Sequence, residues 1–547
     1  MAAKAPEAFK RVFYTPPRAD SDAEAARQAL RIQIHEDPTG SCPPPIESFE
    51  ELGVLPEYAI AALRFQGIEK PMPIQAQALP LVLSGSDVIG LAQTGSGKTL
   101  AFLLPAIPHI EAQRPVDSRN GTPIVLVLAP TRELAVQIAE EADKLLWHST
   151  EGNHPRGLYS ACLYGGGNKR DQKDKLSKGG QIVVATPGRL IDFLEAGIVS
   201  LRRVTYFVLD EADRMLDMGF QGDVDLMSSH IRPDRQVLFF SATWSDDVQL
   251  LASGLCDPNG KGPVRISSGQ ADTESQAKQR AREGIEQRVI VCESNGDWKQ
   301  QAAQKRMLLE RHITSALEES DEHKVLVFVS QKNLADELAQ TLYSDGFAAD
   351  AMHGGKAQET RLWVLDQFRK GELRLLVCTD VLGRGIDLPD VSHVVIYEMG
   401  GIDDYIHRIG RTGRGLNGKG QALVFFEYWD KMPEVAGELV EVLRASNQPV
   451  PQELRQIAAD VASGRRGWSS GNNWQSGSGG GYSGNGWQGG GGGGGQREAA
   501  APVPAKAAAA KPAPVAKTPA REVHDDRDAS RDEKNDTQEE VPDSWDD

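Results

Sequence analysis

The chain predicts an α/β fold built from two parallel-sheet units in tandem, followed by a tail without a core. Three observations carry this. From Phe49 onward, short apolar runs alternate with amphipathic helical stretches. The alternation breaks over the polar, turn-rich residues 266–285 and then restarts. Beyond about residue 460, apolar periodicity gives way to glycine, then to alanine and proline, then to acid. Strands that alternate with helices pack as a parallel sheet covered on both faces. A chain of 547 residues has room for two or three ordinary domains.

Residues 1–45 are polar, with prolines at both ends, and read as a flexible, mostly extended N-terminal arm. The first unit spans 46–265. Its strand-like runs are Asp87–Leu91, Ile124–Leu128, Gln181–Val184, Tyr206–Leu209 and Val237–Phe240, each followed by a loop and a helical pattern. Residues 266–285, which include Ser267-Ser268-Gly269-Gln270, read as a linker. The second unit spans 286–460, with runs at Arg288–Cys292, Lys324–Val329, Leu375–Cys378, His393–Tyr397 and Gln421–Phe426. Residues 461–547 form the tail. Half of the residues in 464–495 are glycine, 16 of 32, with Trp468, Trp474, Tyr482 and Trp487 among them. Neither this segment nor the Ala/Pro-rich and acidic segments after it can bury enough apolar surface to offset chain entropy, so disorder is expected.

The formal charge is −17, of which −8 sits in residues 521–547 (12 Asp/Glu against 4 Lys/Arg), leaving −9 on the first 520 residues. A nucleic acid would therefore be gripped by a local groove and not by a broadly basic surface. Five cysteines, Cys42, Cys162, Cys256, Cys292 and Cys378, are odd in number and widely spaced. That argues against a disulfide framework or a zinc site and points to a reducing, intracellular compartment, nucleus or cytoplasm, with an organelle left open. No apolar run approaches the ~20 residues that span a bilayer, and the first residues lack the apolar stretch of a secretory signal.

Two motifs carry chemistry. Ala92-Gln93-Thr94-Gly95-Ser96-Gly97-Lys98-Thr99 joins a strand to a helix. Glycines let backbone N–H groups approach phosphate oxygens, and the helix start adds positive potential. Lys98 reaches β- and γ-phosphates, and Thr99 can ligate magnesium. Asp210 and Glu211 end the apolar run Val204–Leu209. A carboxylate pair alone is ordinary in a solvated loop. After a buried strand and downstream of a phosphate loop, it reads as a magnesium ligand, Asp210, beside a residue that orients attacking water, Glu211.

With these motifs stand Pro73-Ile74-Gln75, Pro130-Thr131-Arg132-Glu133-Leu134, Gly165-Gly166, Thr186-Pro187-Gly188-Arg189, Asp210-Glu211-Ala212-Asp213 and Ser241-Ala242-Thr243. In the second unit stand Phe328-Val329, His353-Gly354, Thr379-Asp380, Arg384-Gly385-Ile386-Asp387 and His407-Arg408-Ile409-Gly410-Arg411-Thr412-Gly413-Arg414. In this order they resemble a DEAD-box ATP-dependent RNA helicase of superfamily 2, over about Phe49 to Phe426, and Ala92 in place of the first loop glycine fits that family. The resemblance implies two RecA-like domains, ATP and magnesium as cofactors, and RNA as a partner bound mainly through its backbone.

It also implies roles. Gln75 would recognise adenine, since an amide offers a donor and an acceptor, with Phe49 as the upstream aromatic. Ile68 stands where the family often has an aromatic ring near adenine, and Met72 replaces a frequent Thr or Ser. Ala92 to Thr99 would bind ATP, with Asp387 on the ribose; Thr99 and Asp210 would hold the metal. Arg411 and Arg414 would be arginine fingers delivered by the second domain. Asp213, Ser241, Thr243 and His407 would couple the domains. RNA would be held by Thr131, Arg132, Gly166, Thr186, Gly188 and Arg189, and by Gln331, His353, Gly354, Gln358, Arg361 and Thr379. Gly355 replaces a frequent Asp. The function implied is RNA-stimulated ATP hydrolysis coupled to local, non-processive unwinding or ribonucleoprotein remodelling, by a monomer whose arm and tail offer sites for protein partners. The alternative from another class is an ATP-gated RNA clamp. Unwinding of a short duplex with ATP, against a non-hydrolysable analogue, separates the two.

Overall fold

Eight strands form the first sheet: β1 (Ile32–Glu36), β2 (Val88–Leu91), β3 (Val125–Leu128), β4 (Ser160–Leu163), β5 (Ile182–Ala185), β6 (Tyr206–Leu209), β7 (Gln236–Ser241) and β8 (Val264–Ser268). Their spatial order is β1-β8-β2-β7-β6-β3-β5-β4. Every pair is parallel except β1 with β8. The computed structural model describes residues 8–15, 22–40, 42–93, 95–115, 122–256, 262–269, 284–292, 298–380, 388, 391–413 and 419–466. Thr94, Asp387, Arg414, most of the expected linker and the tail beyond 466 lie outside the described residues.

Alternate residues of these strands enter two different cores. Val125, Val127, Tyr206, Val208, Leu238 and Phe240 pack with the helices Pro73–Leu83, Lys98–Glu111 and Arg132–Leu145. Leu126, Leu128, Phe207, Leu209, Val237 and Phe239 pack with Pro187–Glu195, Gln221–His230 and Asp246–Leu255. A strand covered on both faces has no polar side, which is why these segments read as unbroken apolar runs.

The second sheet holds β9 (Ile285–Val291), β10 (Lys324–Phe328), β11 (Ala349–Met352), β12 (Leu375–Cys378), β13 (Val391–Ile396) and β14 (Gly420–Phe426), ordered β11-β12-β10-β13-β14-β9 and parallel throughout. It too separates two cores. One faces Trp298–Glu319 and Lys332–Ser344, the other Gln358–Lys370, Ile402–Ile409, Val435–Ala445 and Gln452–Ala462. The five cysteines are free thiols. Among the described residues, no helix is long and apolar enough to cross a membrane.

Three expectations about organisation change. Strands β4, β8 and β11 are additions to the sequence reading, and the stretch expected to begin the linker at 266 is still strand through Ser268. Beyond the expected limit at 460, the last helix runs to Ala462. The arm expected to be flexible is built into the first lobe. Its helix Ala23–Ala29 leads into β1, which extends the sheet antiparallel to β8, Ile32 opposite Ser268. Phe13 and Tyr14 N–H groups donate to the Leu83 carbonyl at 2.7 and 3.0 Å. Arg11 pairs with the buried Asp87. Arg27 donates to Gln77 Oε1 at 3.0 Å and to the Cys42 and Pro43 carbonyls at 3.1 and 3.0 Å. The physical reason is that an edge strand satisfies its backbone groups on the sheet while Ile32 is buried. These contacts fasten the helix Pro73–Leu83, which carries Gln75.

Ile32→Ala should therefore destabilise the first lobe by about 2 kcal/mol, seen as a lower urea midpoint of that lobe's transition. An unchanged midpoint would mean that the arm lies on the sheet without supporting it.

Candidate functional site

The strands of the first sheet end on one edge, where the phosphate loop begins. Ala92 N–H still donates to the Ser241 carbonyl, 3.0 Å, so the loop starts from a fixed point beside β7. Gly97 has φ +88°, and a Cβ there would collide with the Gln75 amide nitrogen. Both demands require glycine. Gly97 opens the helix Lys98–Glu111, whose first N–H groups face the loop. Lys98 is buried and its ammonium donates to the Ala92 carbonyl at 2.9 Å, so the charge arches over the loop. Gln93 and Gly95 are exposed, and Thr99 is half-buried in the first helical turn. Ser96 Oγ is buried without a hydrogen-bond partner.

Gln75, only 1% exposed, links two segments. Its Oε1 accepts the Met72 N–H at 2.9 Å and its Nε2 donates to the Gly97 carbonyl at 2.9 Å. The amide expected to read adenine thus also ties the turn before its helix to the phosphate loop. One lone pair and one N–H remain for a base. Phe49 is buried and, with Ile60, Leu63, Arg64 and Ile68, lines a pocket of about 310 Å³.

Asp210 N–H donates to the Leu128 carbonyl at 3.0 Å, so Asp210 is held at the end of β6. The next residue turns sharply. Glu211 has φ +53° and ψ +54°, a left-handed conformation that costs a non-glycine residue on the order of 1 kcal/mol. This turn opens the short helix Ala212–Asp217 and directs Glu211 inward, where it is 3% exposed. Its N–H donates to Asp210 Oδ1 at 3.0 Å, while Glu211 Oε2 is buried with no donor. Burial raises the Glu211 carboxyl to about 7. Lys98 opposes the shift, Asp210 and Asp213 add to it, and Arg411 opposes it. Burial likewise raises Asp210, against the pull of Lys98. The cluster is a desolvated pair of carboxylates facing one lysine from the same lobe and one arginine from the other.

Arg411 is 0% exposed and donates from Nε to the His407 carbonyl at 3.2 Å. Its position depends on a brace that the sequence reading did not single out. Arg408 forms a two-point pair with Asp380, 2.7 and 2.9 Å, and donates to the Glu398 carbonyl at 2.8 Å. The brace ties the helix Ile402–Ile409 to the ends of β12 and β13. Its sequence signal was a charge, Asp380, two residues past the buried run Leu375–Cys378.

The residues expected to bind RNA divide into two groups. Thr131, Thr186 and Gln331 are the N-caps of Arg132–Leu145, Pro187–Glu195 and Lys332–Ser344, so each stands where helix N–H groups are free. Thr131 Oγ1 accepts the Leu134 N–H at 3.3 Å. Gly188 is exposed with open space where a side chain would be, and Gly166 is exposed with φ +84°, its backbone against Arg132. Gly354 is exposed and Thr379 half-buried, its N–H donating to the Met352 carbonyl at 3.2 Å.

The other group is turned inward. Arg189 is buried and donates to Gln172 Oε1 at 3.0 Å. His353 Nδ1 accepts the Gly355 N–H at 3.1 Å, and its Nε2 lies 2.9 Å from Asp336 Oδ1, off the line of a hydrogen bond. Arg361 and Gln358 cross the lobes: both meet Glu133, Gln358 Nε2 at 3.1 Å, and Glu133 is 2% exposed. Burial lowers the Arg361 pKa from its ordinary value, with Glu133 opposing and Arg132 adding to the shift. Arg132 and Arg361 are therefore neighbours around one buried carboxylate. Glu133, quoted in its motif, is a further residue that the sequence reading left without a role; its signal was an acid placed immediately before the apolar face of its helix.

Of the expected couplers, Asp213 Oδ2 accepts both the N–H and the hydroxyl of Thr243, 3.2 and 3.1 Å. Together they line a cleft of about 380 Å³ whose other wall is Ile402, Asp403 and Glu438 of the second lobe. His407 is buried on the helix that forms part of that wall, and Ser241 Oγ is buried without a partner.

Comparison with known proteins agrees with this geometry. Residues 72–251 match the DEAD/DEAH box helicase family and residues 304–415 the helicase conserved C-terminal domain. The ATP-dependent RNA helicase DBP2 of Candida albicans is 44% identical over 457 residues, covering 82% of this chain and 75% of the relative. The protein of the same name in Saccharomyces cerevisiae is 41% identical over 454 residues, covering 82% and 77%. Among solved structures, Mss116p bound to single-stranded RNA and AMP-PNP aligns with a TM-score of 0.62 at 28% identity, covering 79% of this chain and 84% of that one. Dbp5 of S. cerevisiae bound to RNA and ADP BeF3 aligns with a TM-score of 0.60 at 27% identity, covering 76% and 99%. With its two RecA-like sheets and their motifs in order, the chain belongs to the DEAD-box ATP-dependent RNA helicases.

Proposed function

We propose that RNA-stimulated ATP hydrolysis by this chain drives local, non-processive opening of short duplexes or remodelling of ribonucleoproteins. The observation that carries the reading is the division of the catalytic charge between lobes. Glu211 lies in the first, Arg411 in the second, and the second lobe's charge is felt at the Glu211 carboxylate. The Mss116p and Dbp5 structures, bound to RNA and nucleotide analogues, support the same pair of ligands here.

The donor set fits magnesium: a buried, oriented Asp210 carboxylate, the Thr99 hydroxyl in the loop's first helical turn, and a neighbouring carboxylate oxygen with no donor. Asp210 and Thr99 would hold the ion, which when bound neutralises charge on the β- and γ-phosphate oxygens. Lys98 exchanges its Ala92 contact for those phosphates. Glu211 Oε2 orients the attacking water and takes its proton. Arg411, with Arg414, stabilises charge on the transferring group once the lobes close. Asp387 meets the ribose, and Gln75 joins the base to the phosphate loop.

RNA enters this scheme through the helix starts at Thr131, Thr186 and Gln331. Phosphates there favour the arrangement in which Gln358 and Arg361 meet Glu133 across the lobes. Two ligands that prefer one state shift the equilibrium toward it, and phosphate release removes one of them.

Glu211→Gln should lower kcat for RNA-stimulated ATP hydrolysis by about 100-fold or more while equilibrium binding of ATP and RNA persists. Normal turnover would remove Glu211 from the proton-accepting role. Glu133→Gln and Arg361→Ala should each weaken RNA-stimulated hydrolysis at least about 10-fold, since breaking a buried pair costs about 3 kcal/mol. The double variant should lose little more than either single one, because the two side chains act as one unit. Additive losses with a shallower salt dependence of RNA binding would instead make Arg361 a direct phosphate ligand.

A further inference from the structure

A cluster of metal-binding side chains lies at the end of the second sheet away from the nucleotide. Glu319 ends the helix Trp298–Glu319, His323 precedes β10, and His393 is the third residue of β13. One ligand atom from each lies within 4.8 Å of the other two. Asp380 and Glu398, which anchor Arg408, follow the opposite ends of β12 and β13. The cluster is therefore separate from the ATP and RNA site. We infer that Glu319, His323 and His393 form a binding site for zinc or a similar borderline divalent ion.

The proton bookkeeping favours metal over a chance grouping. His323 Nδ1 lies 3.0 Å from the Ala316 carbonyl, which can only accept, so Nδ1 carries the hydrogen. Ser392 donates its single hydroxyl hydrogen to the Lys324 carbonyl at 3.1 Å. The same oxygen lies 2.9 Å from His393 Nδ1. The His323 ring is thereby fixed with Nε2 as the bare lone pair. An N–H fixed by a neighbouring oxygen is the usual support of a ligating imidazole.

The surroundings are consistent. His393 is 3% exposed. His312 packs edge-on against His393, centroids 5.3 Å apart, and its buried Nε2 has no hydrogen-bond partner. Glu319 brings a negative charge, and the helix C-terminus it occupies adds to the attraction for a cation. Arg288, near His312, opposes it. The Gln421 side chain also hydrogen-bonds the His393 ring, and its exposed amide is the group an ion would displace. Two imidazoles and one carboxylate suit zinc. An ion here would pin the end of the helix to β10 and β13.

The test uses the full chain stripped with chelator, in excess Mg2+ to occupy the nucleotide site, titrated with Co2+ and followed by its visible absorption, with Zn2+ as competitor. One ion should bind in the wild type, and Zn2+ should raise Tm. His323→Gln and Glu319→Gln change side chains outside the core, so both variants should fold and keep the basal ATPase rate. His323→Gln should weaken binding at least about 10-fold and abolish the Tm rise. A wild-type Kd weaker than about 100 µM, or a smaller change in His323→Gln, would overturn the site.

Discussion

The arrangement of both lobes turns on one oxygen atom, Glu211 Oε2, which is buried without a donor. Leaving a carboxylate oxygen desolvated and unpaired costs on the order of 1–3 kcal/mol, more when it is charged. The backbone adds to that cost by holding Glu211 in a left-handed conformation. Neither would persist on a loop free to relax. β6 holds Asp210 in the ladder, and the helix Ala212–Asp217 follows immediately, so Glu211 has no freedom to turn outward. The charge that relieves it comes partly from Lys98 and partly from Arg411 on the other lobe. A carboxylate balanced in this way depends on the position of a second body, which is the property a gated ATPase needs.

Glu133 does for the lobe boundary what Glu211 does for the nucleotide. It is buried, it sits in the first turn of a helix, and its partners Arg361 and Gln358 come from the other lobe. A buried charge that loses its partner is far more costly than an apolar pair that separates. The closed arrangement is thereby made specific: a displaced second lobe leaves both Glu133 and Arg361 uncompensated. The charge of Arg132 acts on Arg361 against that of Glu133.

Much of the fold was legible because parallel strands buried on both faces leave unbroken apolar runs, as in β3, β6 and β7. The strands that escaped are short and near the sheet margins. β4 and β11 have four residues each, and Ala349-Asp350-Ala351-Met352 carries little strand character. The arm read as flexible because its prolines and charges resemble a linker, whereas its order comes from tertiary contacts, some of them more than 200 residues away, His35 with Ser267 among them. The phosphate loop and the carboxylates were legible because their chemistry is local. Arg408, Asp380 and Glu133 stood in quoted motifs without a role, since a buried ion pair is defined by two distant segments and its partner cannot be read from either alone.

The acidic character of the chain fits RNA binding once the location of its cations is considered. Arg189 is spent on Gln172, Arg361 on Glu133 and Arg408 on Asp380, all away from solvent. What faces the groove are helix starts and glycines: Thr131, Thr186, Gln331, Gly166 and Gly188. Backbone N–H groups carry partial positive charge that no side-chain census records. Such groups can hold phosphates without reading bases, and they are fixed to the two sheets. An acidic net charge is therefore compatible with holding a polyanion at these helix starts.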